Sequence, residues 1–132
     1  MAKAVHSMIR VLDADRSIKF YDEAFGLKVA DHLDYESFAL IYLRNDENDF
    51  ELELTLNKGR EEPYDLGDGY GHLAFVVDDV DAEHTRLSEA GMRPRDLKDF
   101  APGGGDKIAR FFFIQDPDGY EIEVLQRFGR FA

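Results

Sequence analysis

The sequence predicts an α+β protein built from two tandem βαβββ modules, each a strand, a helix and three further strands. Three observations support this fold class: an internal repeat in which His72 takes the place of His6, period-two alternation of apolar and polar residues, and turn signals between the strands. A module of about 60 residues alone buries only a marginal core. We therefore expect one domain over residues 1–132, with its two halves packed together.

The first module covers about residues 5–57 and begins with the strand His6–Val11. The helix that follows is predicted to have Asp15 as its N-cap, because a carboxylate there accepts amide hydrogen bonds from the first turn. Gly26 is the predicted end of the helix, since glycine readily adopts positive φ. Three strand-like runs complete the module: roughly Leu27–Asp31, Phe38–Leu43 and Asp49–Asn57.

The second module covers about residues 71–127, after a polar linker at about residues 58–70. Its first strand begins at His72, and its helix is predicted to run from an Asp81 cap to Gly91. Turn signals at Pro102–Gly105 and Asp116–Gly119 separate the strands that follow. These strands are roughly Arg93–Lys98, Ile108–Ile114 and Tyr120–Gln126.

Composition narrows the classes of partner. Lys and Arg number 16 against 28 Asp and Glu, a net charge of −12, which argues against nucleic acid or an anionic membrane as a partner. The chain has no cysteine, so any bound metal must be held by His and carboxylate side chains. Residues 1–6 are not followed by the apolar core of a signal peptide, so we expect a cytoplasmic protein.

Strand alternation predicts one polar face on each sheet, because successive side chains point to opposite sides. Phe50, Leu52, Leu54 and Leu56 are expected to pack against the helices, which leaves Glu51 and Glu53 on the other face. In the same way Ile122 and Val124 pack inward and Glu121 and Glu123 do not. For Glu51 and Glu121 a simple solvent-facing role is expected.

Each module opens with a His on its first strand and carries a Glu on its last strand, as His6 and Glu53 and as His72 and Glu123. Two imidazoles and two carboxylates form a ligand set suited to a divalent cation such as Ni²⁺, Zn²⁺ or Co²⁺. A solvated polar face is the competing interpretation. The residues alone leave both open.

The repeat resembles the glyoxalase I (lactoylglutathione lyase) family of the vicinal-oxygen-chelate superfamily. The resemblance covers about residues 5–127, and four stretches carry it: His6–Val11, Glu53–Asn57, Gly71–Phe75 and Asp116–Glu123. It implies the glyoxalase/bleomycin resistance/dioxygenase fold, with sheets curled around a metal-binding cleft. It also implies a homodimer in which His6 and Glu53 of one chain share a metal with His72 and Glu123 of the other.

The chemistry implied by the resemblance is methylglyoxal detoxification. The substrate would be a 2-oxoaldehyde–glutathione adduct, the hemithioacetal of methylglyoxal, converted to S-lactoylglutathione by metal-stabilised enediolate proton transfer, with glutathione as co-substrate. Glu123 matches the principal base and Glu53 its counterpart on the other side of the substrate. Similarity to the shorter bacterial forms favours Ni²⁺ or Co²⁺, with Zn²⁺ as an alternative.

The resemblance also implies two substrate-binding residues, since Arg10 and Asn57 match positions for the γ-glutamyl end of glutathione. Lys107 is a third candidate: its Gly-rich segment differs from the family's lysine-containing loop, but the side chain could reach a glycinyl carboxylate. A surface lysine is the competing interpretation for Lys107. Two alternatives to the lyase are another metalloenzyme of the superfamily, namely an epimerase, dioxygenase or thiol transferase, and a metal-free drug-binding protein. In the latter the cleft would be lined by the aromatic residues Phe38, Tyr42, Phe111 and Phe113.

Overall fold

A computed structural model describes residues 1–132, which divide into two units, Met1–Asp65 and Leu66–Ala132. Each unit contains one α-helix and one four-stranded sheet in the order strand, helix, strand, strand, strand. This order confirms the predicted fold class of tandem βαβββ modules. The division between the units falls within the predicted linker at residues 58–70. That the units act as a single domain stays a prediction.

Both units have the same sequence of elements. The first contains β1 (His6–Val11), α1 (Ala14–Phe25), β2 (Lys28–Asp34), β3 (Phe38–Arg44) and β4 (Glu51–Asn57). The second contains β5 (Leu73–Val77), α2 (Val80–Glu89), β6 (Lys98–Phe100), β7 (Ala109–Gln115) and β8 (Glu121–Gln126). Short 3₁₀ turns occur at Pro102–Gly104 and Gly129–Phe131.

The two sheets also share one strand order. It is β1-β4-β3-β2 in the first unit and β5-β8-β7-β6 in the second. The first strand of each unit pairs in parallel with the last, and the other neighbours are antiparallel. The first and last strands of each module are therefore adjacent, although about 40 residues of helix and hairpin separate them.

Burial follows the predicted alternation on both sheets. In the first unit, Ile9, Ile41 and Leu54 are buried on the side of the sheet that faces Tyr21 of α1. In the second unit, the buried side chains include Phe112, Ile114, Ile122 and Val124 of the sheet and Val80 and Leu87 of α2. Each such side chain contributes about 1.5–3 kcal/mol through removal of apolar surface from water. The opposite face of each sheet keeps the polar residues.

Two residues depart from this pattern. Leu125 is buried although it lies on the face of β8 that carries Glu121 and Glu123. Phe50 is predicted to pack inward, but it is exposed and precedes β4. Its backbone N–H donates to the Asn48 side chain, which completes a turn and delays the start of the strand to Glu51.

The helices begin two residues earlier than the sequence predicts. The N-caps are Asp13 and Asp79, whose carboxylates accept hydrogen bonds of 3.0 Å from the backbone N–H groups of Arg16 and Ala82. The predictions of Asp15 and Asp81 were wrong because each turn carries more than one Asp, and a cap needs extended backbone just before the helix. Neither α-helix is long and apolar enough to cross a membrane.

The predicted glycine positions at the helix ends are confirmed. Gly26 caps α1 with φ +65°, and Gly91, the residue after the cap of α2, has φ +76°. Both angles lie in the left-handed region, where a residue with a Cβ is strained.

The strand predicted at Arg93–Lys98 lies further along the chain, at Lys98–Phe100. Arg93 has φ +56°, a conformation incompatible with a strand, and Pro94 has no backbone N–H to donate to one. Apart from one backbone hydrogen bond from Arg95 N–H to the Phe113 carbonyl of β7, regular pairing therefore begins only at Lys98, and β6 is correspondingly short.

A tight turn joins β7 to β8. Asp116 is buried, and its Oδ1 accepts hydrogen bonds from the backbone N–H groups of Asp118 and Tyr120 at 2.9 and 3.0 Å. Gly119 adopts φ +93°, which a larger residue would adopt only under strain. The turn fixes the antiparallel register in which Gln115 lies opposite Glu121.

The revised cap position gives a stability test. Asp13→Ala removes the hydrogen-bond acceptor for the Arg16 amide and should lower the free energy of unfolding by about 1 kcal/mol. Asp15→Ala, the matched control, removes an exposed first-turn carboxylate that interacts only with the helix dipole and should cost less. Urea unfolding followed by circular dichroism measures both. A larger loss for Asp15→Ala would contradict the assignment.

Candidate functional site

The polar face of the first sheet brings together the predicted pair His6 and Glu53. In the parallel β1–β4 register His6 lies opposite Glu51, and Glu53 lies diagonally next to it on the same face. The distance from His6 Nε2 to Glu53 Oε2 is 3.7 Å. The His6 side chain is 40% exposed and that of Glu53 only 12%, so the imidazole is accessible above a largely covered carboxylate.

The second unit repeats this arrangement with His72 and Glu123. His72 directly precedes β5, and Ala74 two residues later lies opposite Glu123 on β8. The distance from His72 Nε2 to Glu123 Oε1 is 3.5 Å, with side-chain exposures of 42% and 19%. The structure therefore contains two His–Glu pairs of nearly equal geometry, one in each unit.

The donor chemistry of each pair fits a divalent cation. Two ligands held 2.0–2.2 Å from a tetrahedral ion lie about 3.4 Å from each other, close to the separations found here. Imidazole nitrogen with carboxylate oxygen suits Zn²⁺, Ni²⁺ or Co²⁺. Neither unit contains a group of three or more His, Asp or Glu residues able to hold a metal. Each unit by itself therefore offers one His–Glu pair as candidate ligands.

An aromatic ring adjoins each pair from the neighbouring strand. Tyr42 of β3 lies opposite Glu53, and Phe113 of β7 lies opposite Glu123. Each ring meets the imidazole of its own unit edge to face, with centroid distances of 6.0 Å for Tyr42 and His6 and 5.2 Å for Phe113 and His72. The neighbouring Glu53 carboxylate, with burial adding to its effect, raises the pKa of Tyr42 to about 12.

A second carboxylate lies beside each pair and is held by an arginine. In the first unit Arg44 Nη1 is 3.6 Å from Glu51 Oε2. In the second unit Glu121 Oε1 accepts hydrogen bonds from Arg95 and, at 2.8 Å, from Gln115. The other oxygen of Glu121, Oε2, is buried and has no hydrogen-bond partner.

Sequence reasoning missed these arginine partners, because Glu51 and Glu121 were expected to be simply solvated. The ion pair with Arg95 is the main cause of the lowered pKa of Glu121, with the Gln115 hydrogen bond adding to it. Arg44 is the last residue of β3 and neighbours Glu51 in the antiparallel register, so a correct hairpin register would have revealed that pair. Arg95 lies in irregular chain before β6, where the sequence offers no comparable signal.

The three predicted substrate-binding residues lie in different surroundings. Arg10 is on the polar face of β1, opposite Thr55, and Asn57 ends β4 on the same face. The Asn57 side chain donates a hydrogen bond of 3.0 Å to the Tyr64 hydroxyl. Lys107, in the second unit, has its ammonium 5.8 Å from the centre of the Phe128 ring. Their roles in substrate binding stay predictions.

Comparison with known proteins bears directly on the family. The model of the Glyoxalase/Bleomycin resistance protein/Dioxygenase superfamily matches residues 3–124. The chain belongs to this superfamily. The resemblance inferred from the His and Glu motifs is thereby confirmed.

Similar proteins carry related names. The probable lactoylglutathione lyase of Vibrio parahaemolyticus is 38% identical over 128 residues, covering 94% of this chain and 90% of that protein. The lactoylglutathione lyase of Haemophilus influenzae is 36% identical over 126 residues, covering 92% and 90%. Among solved structures, glyoxalase I from Zea mays is similar with a TM-score of 0.81 and 35% identity over 96% of this chain. The chain spans 45% of that maize protein.

The Arg95–Glu121 pair predicts a pH-dependent contribution to stability. The folded-state pKa of Glu121 lies below its ordinary value of 4.5, so its stabilisation is complete above that pH and is lost as the pH falls through the lowered value. Glu121→Gln should therefore lower the urea midpoint at pH 7, and the difference from wild type should shrink below pH 4.5.

Glu36→Gln is the control for this experiment, because Glu36 is exposed and has no ion pair. Urea midpoints at several pH values between neutral and acidic measure both variants. A difference for Glu121→Gln that stays constant with pH would show that the charge of Glu121 does not stabilise the fold.

Proposed function

We propose that this protein is a lactoylglutathione lyase, converting the hemithioacetal of methylglyoxal and glutathione to S-lactoylglutathione. The observation that carries the proposal is the duplicated His–Glu pair, at 3.7 Å in one unit and 3.5 Å in the other. Similarity of 36–38% to proteins of that name over more than nine-tenths of the chain supports the same activity. A cytoplasmic location suits it, since the cytosol keeps glutathione in its thiol form.

The proposed active form is a homodimer with a metal at each interface. His6 and Glu53 of one copy would share the ion with His72 and Glu123 of a second copy. The support is that each unit supplies only two ligands, whereas His and carboxylate sites for such ions use at least three protein ligands. Ni²⁺ or Co²⁺ is favoured over Zn²⁺ by similarity to short bacterial relatives, since the ligand set itself suits all three.

The proposed reaction moves a proton between two adjacent carbons of the substrate, with no net gain or loss of electrons. A bound divalent cation would act as a Lewis acid and stabilise the negative charge that develops on substrate oxygen. Glu123 would take the proton from one carbon and return it to the next, and Glu53 would be its counterpart on the other side of the substrate. His6 and His72 would hold the ion through their Nε2 atoms.

Substrate binding is proposed to depend on a few local cations. The protein has a net charge of −12, so an anionic glutathione adduct needs specific positive groups to hold it. Arg10 and Asn57 share the polar face with His6 and Glu53, which suits contact with the γ-glutamyl end. Lys107 is proposed to bind the glycinyl carboxylate.

The activity itself is tested by absorbance of the thioester formed from methylglyoxal and glutathione. Protein treated with a chelator should be inactive, and Ni²⁺ or Co²⁺ should restore turnover. Glu123→Gln should lower kcat about 100-fold or more, because general base catalysis is lost, while Glu36→Gln should leave kcat unchanged.

No thioester from the metal-loaded wild type would reject the lyase in favour of another metalloenzyme of the superfamily. If the chelated protein takes up no Ni²⁺ or Zn²⁺ when these ions are added back, the metal-free drug-binding alternative is favoured instead. Near-normal kcat for Glu123→Gln would remove that residue from the base role.

Metal ligation is tested separately by a histidine comparison. His72→Ala should reduce both the metal content, by elemental analysis, and the turnover, because one of two imidazole ligands is removed. His32→Ala is the matched control, since His32 is an exposed residue of β2 outside the two pairs. Unchanged metal affinity in His72→Ala would refute ligation by that residue.

A further inference from the structure

In the first unit, three potential metal ligands stand on adjacent strands of the polar face, but only two of them form a pair. Glu51 lies directly opposite His6 in the parallel register, and Glu53 follows it two residues later on the same face. One His and two carboxylates are enough to hold a divalent cation. The structure nevertheless contains no group of three such side chains able to do so. Glu51 is therefore kept apart from the pair.

The second unit repeats this surplus of ligands. One residue before the first paired position of β5 and β8, His72 and Glu121 are neighbours on the polar face. Glu123 follows Glu121 two residues later on the same face. Both halves of the repeat therefore have a carboxylate beside their histidine that is not part of the His–Glu pair. We call Glu51 and Glu121 the spare carboxylates.

An arginine binds the spare carboxylate in each unit. Arg44 Nη1 lies 3.6 Å from Glu51 Oε2. Arg95 donates a hydrogen bond to Glu121 Oε1, which also accepts one of 2.8 Å from Gln115. Arg44 and Gln115 are equivalent positions, because each ends the third strand of its module. The second unit therefore has a neutral donor where the first has a cation, and its positive charge comes from a different part of the chain.

Arg95 is held in place through its backbone as well as its side chain. Its N–H donates to the Phe113 carbonyl at 2.9 Å, and its own carbonyl accepts from His84 Nε2 at 2.8 Å. Strand β7 and helix α2 thus fix the residue whose guanidinium binds Glu121. The other oxygen of Glu121, Oε2, is buried and has no partner, so this carboxylate keeps an acceptor that a cation would use if the arginine were absent.

We propose that Arg44 and Arg95 are specificity-determining residues for the metal: each keeps the spare carboxylate of its unit out of the coordination sphere. The inference rests on the metal site of the function proposed above. A guanidinium and a divalent cation compete for the same carboxylate oxygens. With both arginines in place, imidazole supplies half of the four proposed ligands, which suits Ni²⁺, Co²⁺ or Zn²⁺. Without them the site gains oxygen ligands, which suit Mn²⁺.

Metal competition tests this selectivity without any substrate. The dissociation constants of Ni²⁺ and Mn²⁺ are measured on the chelated full-length protein by competition with a chromogenic chelator. Arg95→Met removes the guanidinium but keeps an unbranched side chain. It should lower the ratio of the Mn²⁺ to the Ni²⁺ dissociation constant about tenfold, because a released carboxylate adds an oxygen ligand. A ratio within twofold of wild type would overturn the proposal.

Two further variants separate ligand release from a general effect of charge. Arg86→Met removes a cation that pairs with Glu83 on the same helix, away from the polar face, and should leave the ratio unchanged. Addition of Glu121→Gln to Arg95→Met should restore the wild-type ratio, because the released carboxylate is then absent. A shift that persists in this double variant, or an equal shift in Arg86→Met, would show that the arginine acts only through its charge.

Failure of this inference is distinguishable from failure of the proposed function. A wild type that binds Ni²⁺ but forms no thioester rejects the lyase, and the metal ratio still decides the role of the arginines. An active wild type whose ratio does not respond to Arg95→Met rejects only that role, and a wild type that binds neither ion rejects both. If Arg95→Met fails to fold, Arg44→Met and its reversal by Glu51→Gln decide by the same ratio in the first unit.

Discussion

Parallel hydrogen bonding between the first and last strand of each unit is the constraint on which the site depends. It places His6 and Glu53, and likewise His72 and Glu123, on neighbouring strands although they are far apart along the chain. The helix of each unit packs on the opposite face, so this face has no helix of its own unit to exclude water. The register of these strands must also be kept, because a slip of one residue would exchange the glutamates with their buried apolar neighbours.

The polar faces concentrate negative charge, and the neighbouring side chains balance it. Glu51 and Glu121 lie beside the two His–Glu pairs, and each is held by an arginine. The arginines neutralise the second carboxylate of each face and leave Glu53 and Glu123 as the carboxylates paired with imidazole. Although the protein has a net charge of −12, each polar face therefore has an arginine that neutralises one of its carboxylates.

Much of this arrangement could be predicted from the sequence because it depends on periodicity. Alternation by two identifies the polar face of a strand, and the repeat identifies His6 and His72 as equivalent. The positive φ angles of Gly26 and Gly91 could be predicted because glycine has no Cβ and adopts such angles readily.

The errors occurred where several residues could serve equally well or where no periodicity exists. Asp13 and Asp15 are both good caps by residue type, and only the backbone angles decide between them. The Arg95–Glu121 contact joins irregular chain to a strand, and Tyr42 lies beside the His6–Glu53 pair only because the strand register places it opposite Glu53. Such contacts depend on pairing in three dimensions, which residue spacing does not encode.

The turn at Asp116–Gly119 restricts insertions and deletions between β7 and β8. Its buried carboxylate and left-handed glycine fix the number of residues between β7 and β8. An inserted residue there would turn Glu123 toward the apolar side and Val124 toward solvent. The exposed segment at residues 101–105, which makes no such buried contact, should tolerate a change of length better than this turn.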